Sequence, residues 1–253
     1  MRAVHNPIAV VAVEFCCSKS DDATWPGRAC WLRLQKLAAI RWTFLVAMLI
    51  QSAVVCNVGY VQAQTSISYG PEWKSLFNGR DLDGWVKIGN EKWIVEDGAI
   101  YGEGITQEYG YLATAKEYTD FDMSLRFKCE ADGNSGVYIH TSFEPGTAKV
   151  TAGRQIEIDR TIGHHTGGIY GDGKGWIAWP APELETVIRP NDWNEMLIQV
   201  QGRRYITHLN GVKMLDFTYP SPEARSGVIA LQLHSGGEGR MRFKDIWIRA
   251  NDN

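Results

Sequence analysis

Short runs of alternating apolar and polar residues follow one another from Trp73 to Arg249 and are separated by Asn-Gly and Asp-Gly pairs. Such pairs adopt the left-handed conformations that tight reversals between antiparallel strands require. No long stretch repeats its apolar residues with helical spacing. The chain is therefore predicted to be all-β, an antiparallel sandwich of many short strands. The predicted strands are Trp93–Glu96, Ala99–Tyr101, Tyr111–Thr114, Asp120–Cys129, Gly136–His140, Gln155–Asp159, Trp193–Gln201, Tyr205–Leu209, Val212–Asp216, Val228–His234 and Met241–Arg249.

The last predicted strand changes the parity of its apolar residues. Phe243 belongs to one face of the strand, whereas Ile246 belongs by simple alternation to the other. One extra residue near Lys244 and Asp245 would bring both onto a common buried face, so a β-bulge is expected there.

Residues Thr161–Asn191 form a long irregular region rich in Gly, Pro and Trp, which is predicted to be a functional loop.

The first 63 residues have the features of an export signal. Basic residues at positions 33, 36 and 41 precede the apolar stretch Trp42–Val55, and a cleavage site is expected near Ala63. The sequence thus predicts a leader over residues 1–63, a single domain over residues 64–253 and a secreted or periplasmic location in a bacterium. An uncleaved membrane anchor over Trp42–Val61 is the alternative, but Gln51, Ser52 and Asn57 interrupt that segment. No stable membrane span is expected after cleavage.

The cysteine content argues against an internal disulfide in the exported domain, and the charge of the chain argues against a nucleic-acid partner. Cleavage would remove four of the five cysteines and leave only Cys129, so no internal disulfide is expected. Cys129 ends an alternating apolar run and is predicted to be buried. The net charge of -3, without a run of basic residues, argues against a nucleic-acid partner.

Three predicted strands carry polar side chains on the face opposite their apolar residues. Amide, carboxylate, imidazole and phenol groups with few lysines suit a carbohydrate partner better than a merely solvated sheet face, which is the plain alternative. Aromatic residues of the long irregular region, Tyr170, Trp176 and Trp179, would supply flat rings for sugar faces. The polar sets are Gln155, Glu157 and Asp159; Asn134, Gly136, Tyr138 and His140; and Gln232 with His234.

A conventional glycosidase would need two cooperating carboxyl groups. Glu157 and Asp159 lie two residues apart on one strand, so their backbones are separated by about 6.5 Å, within the range that glycosidases use. Strand motifs of the form Glu-x-Asp-x-x-Glu would place a further acid where this chain has Ile162. The paired-carboxylate mechanism is therefore disfavoured, unless an acid comes from elsewhere in the chain.

Seven segments stand out in order along the chain. They are SLFNGRDLDGW (Ser75–Trp85), WIVEDGAI (Trp93–Ile100), GNSGVYI (Gly133–Ile139), TGGIYG (Thr166–Gly171), DWNEMLIQVQG (Asp192–Gly202), LNGV (Leu209–Val212) and LQLHSGG (Leu231–Gly237). This ordered set resembles the 3-keto-disaccharide hydrolase domain family over Trp73–Arg249. That resemblance implies a concanavalin A-like jelly-roll β-sandwich that cleaves glycosides oxidised to a ketone at sugar C3.

The resemblance implies a reaction that begins with removal of the acidified C2 proton and continues with elimination of the glycosidic oxygen. His234 is then the candidate base, and Glu157 is an alternative base or the acid for the leaving group. A divalent metal ion is a possible cofactor, with His140, Glu157 and His234 as potential ligands. The expected substrate-binding residues are Asn134, Tyr138, His140, Gln155, Asp159, Tyr170 and Gln232.

The chain also departs from the family pattern on the predicted site face. The family commonly shows Glu-x-Gln-Ile-Asp, where this chain has Gln155 and Glu157 with acid and amide exchanged. The exchange leaves open a compensated mechanism, a different sugar, or binding without turnover. A lectin-like carbohydrate-binding module and a conventional glycosidase therefore remain the alternative functions.

Overall fold

The computed structural model describes residues 69–131, 133–171, 173–220 and 225–250. The predicted leader, its cleavage site near Ala63 and the four leader cysteines lie outside the described residues. Within the described part of the chain, no helix is both long enough and apolar enough to cross a membrane.

Fifteen strands make up almost all the regular structure of the described residues, which contain no α-helix. A single 3₁₀ turn spans Leu184–Val187. In chain order the strands are β1 (Lys74–Ser75), β2 (Trp85–Ile88), β3 (Lys92–Glu96), β4 (Ala99–Glu103), β5 (Gly110–Tyr118), β6 (Phe121–Cys129), β7 (Ser135–Phe143), β8 (Val150–Ile158), β9 (Ile169–Gly171), β10 (Trp176–Ala178), β11 (Asn194–Gln201), β12 (Arg204–Leu209), β13 (Val212–Thr218), β14 (Gly227–Leu233) and β15 (Arg240–Ala250).

The strands form two antiparallel sheets, as the all-β jelly-roll prediction requires. One sheet has the order β13-β12-β11-β6-β15-β4-β3, with β1 paired to β15. The other has the order β10-β9-β8-β7-β14-β5-β2. Every predicted strand is present. Hairpins of consecutive strands alternate with pairs from distant parts of the chain, such as β6 with β15 and β7 with β14, as in a sandwich with crossing connections.

The core lies between the two sheets and is built from the apolar parity of each strand. On β6, Met123, Leu125 and Phe127 are fully buried, and on β8 Ile156 and Ile158 are buried in the same cluster. Cys129 at the end of β6 is also buried, which confirms its predicted place in the core. Burying these inward side chains leaves the alternate residues of β8 on the outer face of the second sheet.

The predicted bulge in β15 is confirmed. The pairing of β15 with β6 shifts between Lys244 and Trp247, and Asp245 takes a left-handed backbone with φ 50°. The shift brings Phe243 and Ile246 into the same core despite their opposite parities.

The long region 161–191 is more ordered than predicted. It contains β9 and β10, which extend the second sheet beyond β8, and the 3₁₀ turn Leu184–Val187. Its aromatic side chains are therefore carried partly on strands that continue the sheet bearing the polar residues.

Candidate functional site

A hydrogen-bonded row of amide and carboxyl groups crosses the outer face of the second sheet. Gln155 Nε2 donates to Glu157 Oε2 at 2.7 Å and to Gln232 Oε1 at 3.2 Å. The Gln155 side chain lies over Gly136 of β7, the cross-strand partner of Glu157, where an added Cβ would come within 2.5 Å of Gln155 Cγ. The row thus joins β8 to β14 across β7, and it brings together three of the predicted site residues.

Glu157 is the most perturbed acid of this row. Burial, together with the nearby carboxylates of Asp159 and Glu185, raises the pKa of its carboxyl to about 9. A carboxyl with such a pKa carries its proton at neutral pH and can donate it. Glu185 is a fully buried member of the site that sequence analysis missed.

Two tyrosines extend the polar row on the same face. The hydroxyls of Tyr111 and Tyr138 are hydrogen-bond partners, and Tyr111 also bonds to Gln232. Burial raises the pKa of both phenols, so both stay protonated at neutral pH. Tyr138 was predicted to be here, whereas Tyr111 was recognised only as the start of a strand.

His234 lies directly beyond β14 and is paired with a residue that sequence analysis missed. Its Nε2 lies 3.3 Å from the hydroxyl of Tyr109, and its Nδ1 lies 3.0 Å from the carbonyl oxygen of Ser235. A carbonyl only accepts hydrogen bonds, so the Ser235 contact assigns the N–H to Nδ1 and leaves the lone pair on Nε2. The alternation Tyr109-x-Tyr111 along the start of β5 was the available signal for both tyrosines.

A buried carboxylate holds the loop that carries Tyr109. Glu91 is 5% exposed and accepts hydrogen bonds from the backbone N–H of Ile105 and Thr106 and from the Thr106 hydroxyl. Across the loop, Gly236 N–H donates to the carbonyl of Gln107 at 3.3 Å. The loop before β5 is thereby tied to the turn that follows His234.

Asn134 and Asp159 differ in how freely they can meet a ligand. Asn134 Oδ1 is buried and has no hydrogen-bond partner among the described residues. Both Asp159 oxygens are already engaged, one by the Thr161 N–H at 2.7 Å and the other by His164 Nδ1 at 3.0 Å. Asn134 therefore has an unsatisfied acceptor, whereas Asp159 chiefly shapes the turn after β8.

The prediction that His140 lies beside Tyr138 on the polar face was wrong. The register between β7 and β8 shifts after Ile139, and His140 has a left-handed φ of 51°. The shift turns His140 into the space between the sheets, where its Nε2 lies 2.7 Å from the Thr119 carbonyl and its Nδ1 3.2 Å from the Tyr205 hydroxyl. Burial lowers the pKa of His140, which favours a neutral structural imidazole.

The proposed metal ligands His140, Glu157 and His234 are not brought together, because His140 faces the interior. Among the described residues, no group of three His, Cys, Asp or Glu side chains has an arrangement suited to a metal ion. The donor set therefore does not fit the divalent metal that the family resemblance suggested, and we derive no step through one.

An aromatic cluster continues the site face beyond β8. Tyr170 on β9 stands opposite Gln155, and Trp176 on β10 stands opposite Tyr170. Tyr170, Trp176 and Trp179 are 40%, 37% and 51% exposed. Tyr170 thus occupies the predicted face.

An open cavity of about 450 Å³ adjoins the polar row, a volume within the usual range for small-ligand sites. Its lining includes Tyr138, Gly153, Gly171 and Lys174. A larger cavity of about 720 Å³ lies between β1 and the end of β5, but none of the predicted site residues lines it. The chemistry of the polar row, rather than cavity size, selects the candidate site.

Residues 72–249 match the family described as the 3-keto-alpha-glucoside-1,2-lyase-like domain. The chain belongs to this family. A curated 3-keto-disaccharide hydrolase from Bacteroides thetaiotaomicron is 30% identical over 74 residues, which is 25% of this chain and 26% of that protein. The chain thus matches about a quarter of the length of this relative. The family assignment indicates a 3-keto-disaccharide hydrolase-like, carbohydrate-active domain.

Solved structures with low sequence identity share the fold. A crystal structure from Parabacteroides distasonis, provisionally assigned as a glycosyl hydrolase, superposes with a TM-score of 0.57 at 23% identity, covering 74% of this chain and 99% of that chain. The carbohydrate-binding module CBM66 of Bacillus subtilis superposes with a TM-score of 0.50 at 13% identity, covering 66% and 96%. These similarities support the jelly-roll architecture.

Proposed function

We propose that this domain cleaves glycosides that carry a ketone at sugar C3, by eliminating the glycosidic oxygen across the C1–C2 bond. The observation that carries the proposal is the pairing of two complementary groups on one sheet face. Glu157 holds a proton at neutral pH, with a pKa of about 9, whereas His234 Nε2 presents a lone pair. One group is set to give a proton and the other to take one.

The spacing of the two groups suits a single sugar ring. Glu157 on β8 and the end of β14 are separated by β7, so their backbones lie about 10 Å apart across the sheet. A pyranose between them would meet one side chain on each side. The unpartnered Asn134 Oδ1 would accept a hydrogen bond from a hydroxyl of the same ring.

The first chemical step uses His234. A ketone at C3 acidifies the hydrogen on C2, and Nε2 of His234 removes this hydrogen as a proton. The electron pair of the C2–H bond forms a C2=C3 double bond, and the carbonyl electrons move onto the C3 oxygen as an enolate. The protonated hydroxyls of Tyr111 and Tyr138 lie on the same face and would stabilise the developing charge by exchanging one of their present hydrogen bonds for one to the enolate oxygen.

The second step uses Glu157. The enolate collapses to restore the C3 ketone and forms a C1=C2 double bond, while the C1–O bond breaks. Glu157 gives its proton to the departing oxygen, so the leaving group departs as a neutral hydroxyl. Addition of water across C1=C2 would complete a net hydrolysis. His234 releases its proton to solvent, and Glu157 takes one up from solvent, which restores both groups.

The test compares a 3-keto glycoside with its unoxidised parent, using residues 64–253. We expect aglycone release from the keto compound alone, and slower release when the hydrogen on C2 is replaced by deuterium. His234→Ala should abolish this release, and Glu157→Gln should lower it about 10²-fold or more, as expected for the loss of an acid or base. His208→Ala, which removes a half-buried imidazole from the other sheet, is the matched control and should keep full activity.

Each contrary result identifies another function. Release from the unoxidised parent would indicate a conventional glycosidase, and binding without release would indicate a lectin-like module. Normal turnover by a folded His234→Ala variant would remove His234 from the mechanism.

A further inference from the structure

Three aromatic side chains form an exposed cluster on the β9–β10 side of the site. The ring centroids of Tyr170 and Trp176 lie 5.3 Å apart at 76°, and those of Trp176 and Trp179 lie 6.4 Å apart at 70°. All three residues keep more than a third of their surface exposed. A contiguous exposed patch of this kind is typical of a binding surface, because burying it would be favourable.

The cluster is built on a fixed support. The buried Glu185 accepts hydrogen bonds from the N–H groups of Gly163 and His165 at 3.0 and 3.1 Å. This holds the His165 ring against Trp176 and Trp179, with ring centroids 4.6 and 5.4 Å away. The two tryptophans are therefore preorganised rather than free to rearrange.

Strand order places the aromatic cluster on the leaving-group side of the reaction. Moving across the sheet, His234 follows the end of β14, β8 carries Glu157, β9 carries Tyr170 and β10 carries Trp176, with Trp179 directly after β10. The leaving-group acid thus stands between the base and the aromatic cluster. With strands about 4.8 Å apart, Trp176 lies about 10 Å from Gln155 in backbone position, which is one sugar ring further on.

We propose that Tyr170, Trp176 and Trp179 form the binding subsite for the leaving half of a disaccharide, a second pyranose whose apolar C–H face packs on the rings. The subsite rests on the proposed function for its orientation. It makes the domain selective for two-ring substrates over 3-keto glycosides with a small leaving group.

Activity on two substrates tests this selectivity. Trp179→Ala should lower kcat/KM for a 3-keto disaccharide about tenfold, mainly through KM, and leave kcat/KM for a methyl 3-keto glucoside unchanged. Trp179→Phe should recover most of the loss because it keeps a flat ring. Ile162→Ala removes another exposed apolar side chain from the same region, 53% exposed, and should act as wild type on both substrates. An equal loss on both substrates, or no loss on the disaccharide, would overturn the subsite.

Direct binding keeps the subsite testable if no keto glycoside is cleaved. Titration of the unoxidised disaccharide, followed by tryptophan fluorescence and calorimetry, should give weaker binding to Trp179→Ala than to wild type or Ile162→Ala. Weaker binding to Trp179→Ala without cleavage of any keto glycoside would contradict the proposed elimination but support the subsite. Equal affinities of the three proteins, including no measurable binding by any of them, would overturn the subsite.

Discussion

The hydroxyl of Tyr109 lies 3.3 Å from His234 Nε2, the nitrogen that carries the lone pair of the proposed base. Tyr109→Phe would remove this hydrogen bond and keep the edge contact between the two rings, whose centroids are 5.0 Å apart. We expect kcat/KM on a 3-keto glycoside to fall about tenfold, the size of one hydrogen bond, because the imidazole loses a fixed orientation. The melting temperature should stay the same, since Tyr109 is 38% exposed.

Tyr101→Phe is the control for this substitution. Tyr101 is a partly exposed tyrosine on β4 of the other sheet, so losing its hydroxyl should leave turnover unchanged. Full activity of Tyr109→Phe would mean that His234 is held by Ser235 alone.

Sequence alternation located most single residues of the site but not their partners. Gln155, Glu157 and Gln232 share a face because Ile156, Ile158 and Leu233 must be buried, and this can be read from the chain. The contacts of Glu185 and Tyr109 depend on loops that return to the sheet from distant positions. No periodicity specifies such a return.

At the scale of strands, the bulges at Asp245 and His140 show what apolar–polar alternation can predict. The bulge at Asp245 was predictable because apolar residues on both sides of it must reach one core. The bulge at His140 was not, because the residues that follow it, Thr141 and Ser142, carry no apolar parity to reveal the shift. Its position is set instead by contacts between the sheets, including the one from His140 to Tyr205.

The 3₁₀ turn Leu184–Val187 carries Glu185, whose charge is expected to raise the pKa of Glu157 on β8. The carboxylate of Glu185 is one of the causes that raise the pKa of Glu157 to about 9. Glu185→Gln removes the charge while its amide oxygen can still accept from the Gly163 and His165 N–H groups. The pKa of Glu157 should therefore fall, as measured by carbon-13 NMR titration of the carboxyl groups.

The matched control for this charge effect is Glu183→Gln. Glu183 is exposed and lies two residues earlier in the chain. The same loss of charge at this position should leave the Glu157 titration unchanged because water screens it. If Glu185→Gln also leaves the titration unchanged, burial and Asp159 account for the whole of the raised pKa.

For the whole molecule, the two-sheet architecture was predictable and the sheet edges were not. In long strands such as β6 and β11, apolar and polar residues alternate over enough positions for the strand to be recognised from the sequence. Burying the apolar faces of these strands requires a second sheet. Strands of two to four residues, β1, β2, β9 and β10, carry too little pattern to be recognised. Their hydrogen-bond partners define them, so the sheet extension that carries the aromatic cluster was missed.

The free energy of unfolding should depend on pH because the carboxyl of Glu157 is buried and has a raised pKa. An unfolded chain ionises Glu157 near its ordinary value of 4.5, whereas the folded chain keeps the proton until about pH 9. Between these values the folded state binds the extra proton, so the contribution of Glu157 to stability is fully present below about pH 4.5 and is lost as the pH rises towards 9. The Glu157→Gln variant has no ionisable group at this position, so it does not lose stability in this way as the pH rises.

Urea unfolding at pH 5, 7 and 8.5 measures the difference between the two proteins. The free energy of unfolding of Glu157→Gln minus that of wild type should increase with pH, by at most about 1.4 kcal/mol per pH unit. Glu183→Gln should show no such trend, because its exposed carboxyl meets water in both states. A pH-independent difference for Glu157→Gln would mean that Glu157 is ionised in the folded protein, and the elimination would then lack its proposed proton donor.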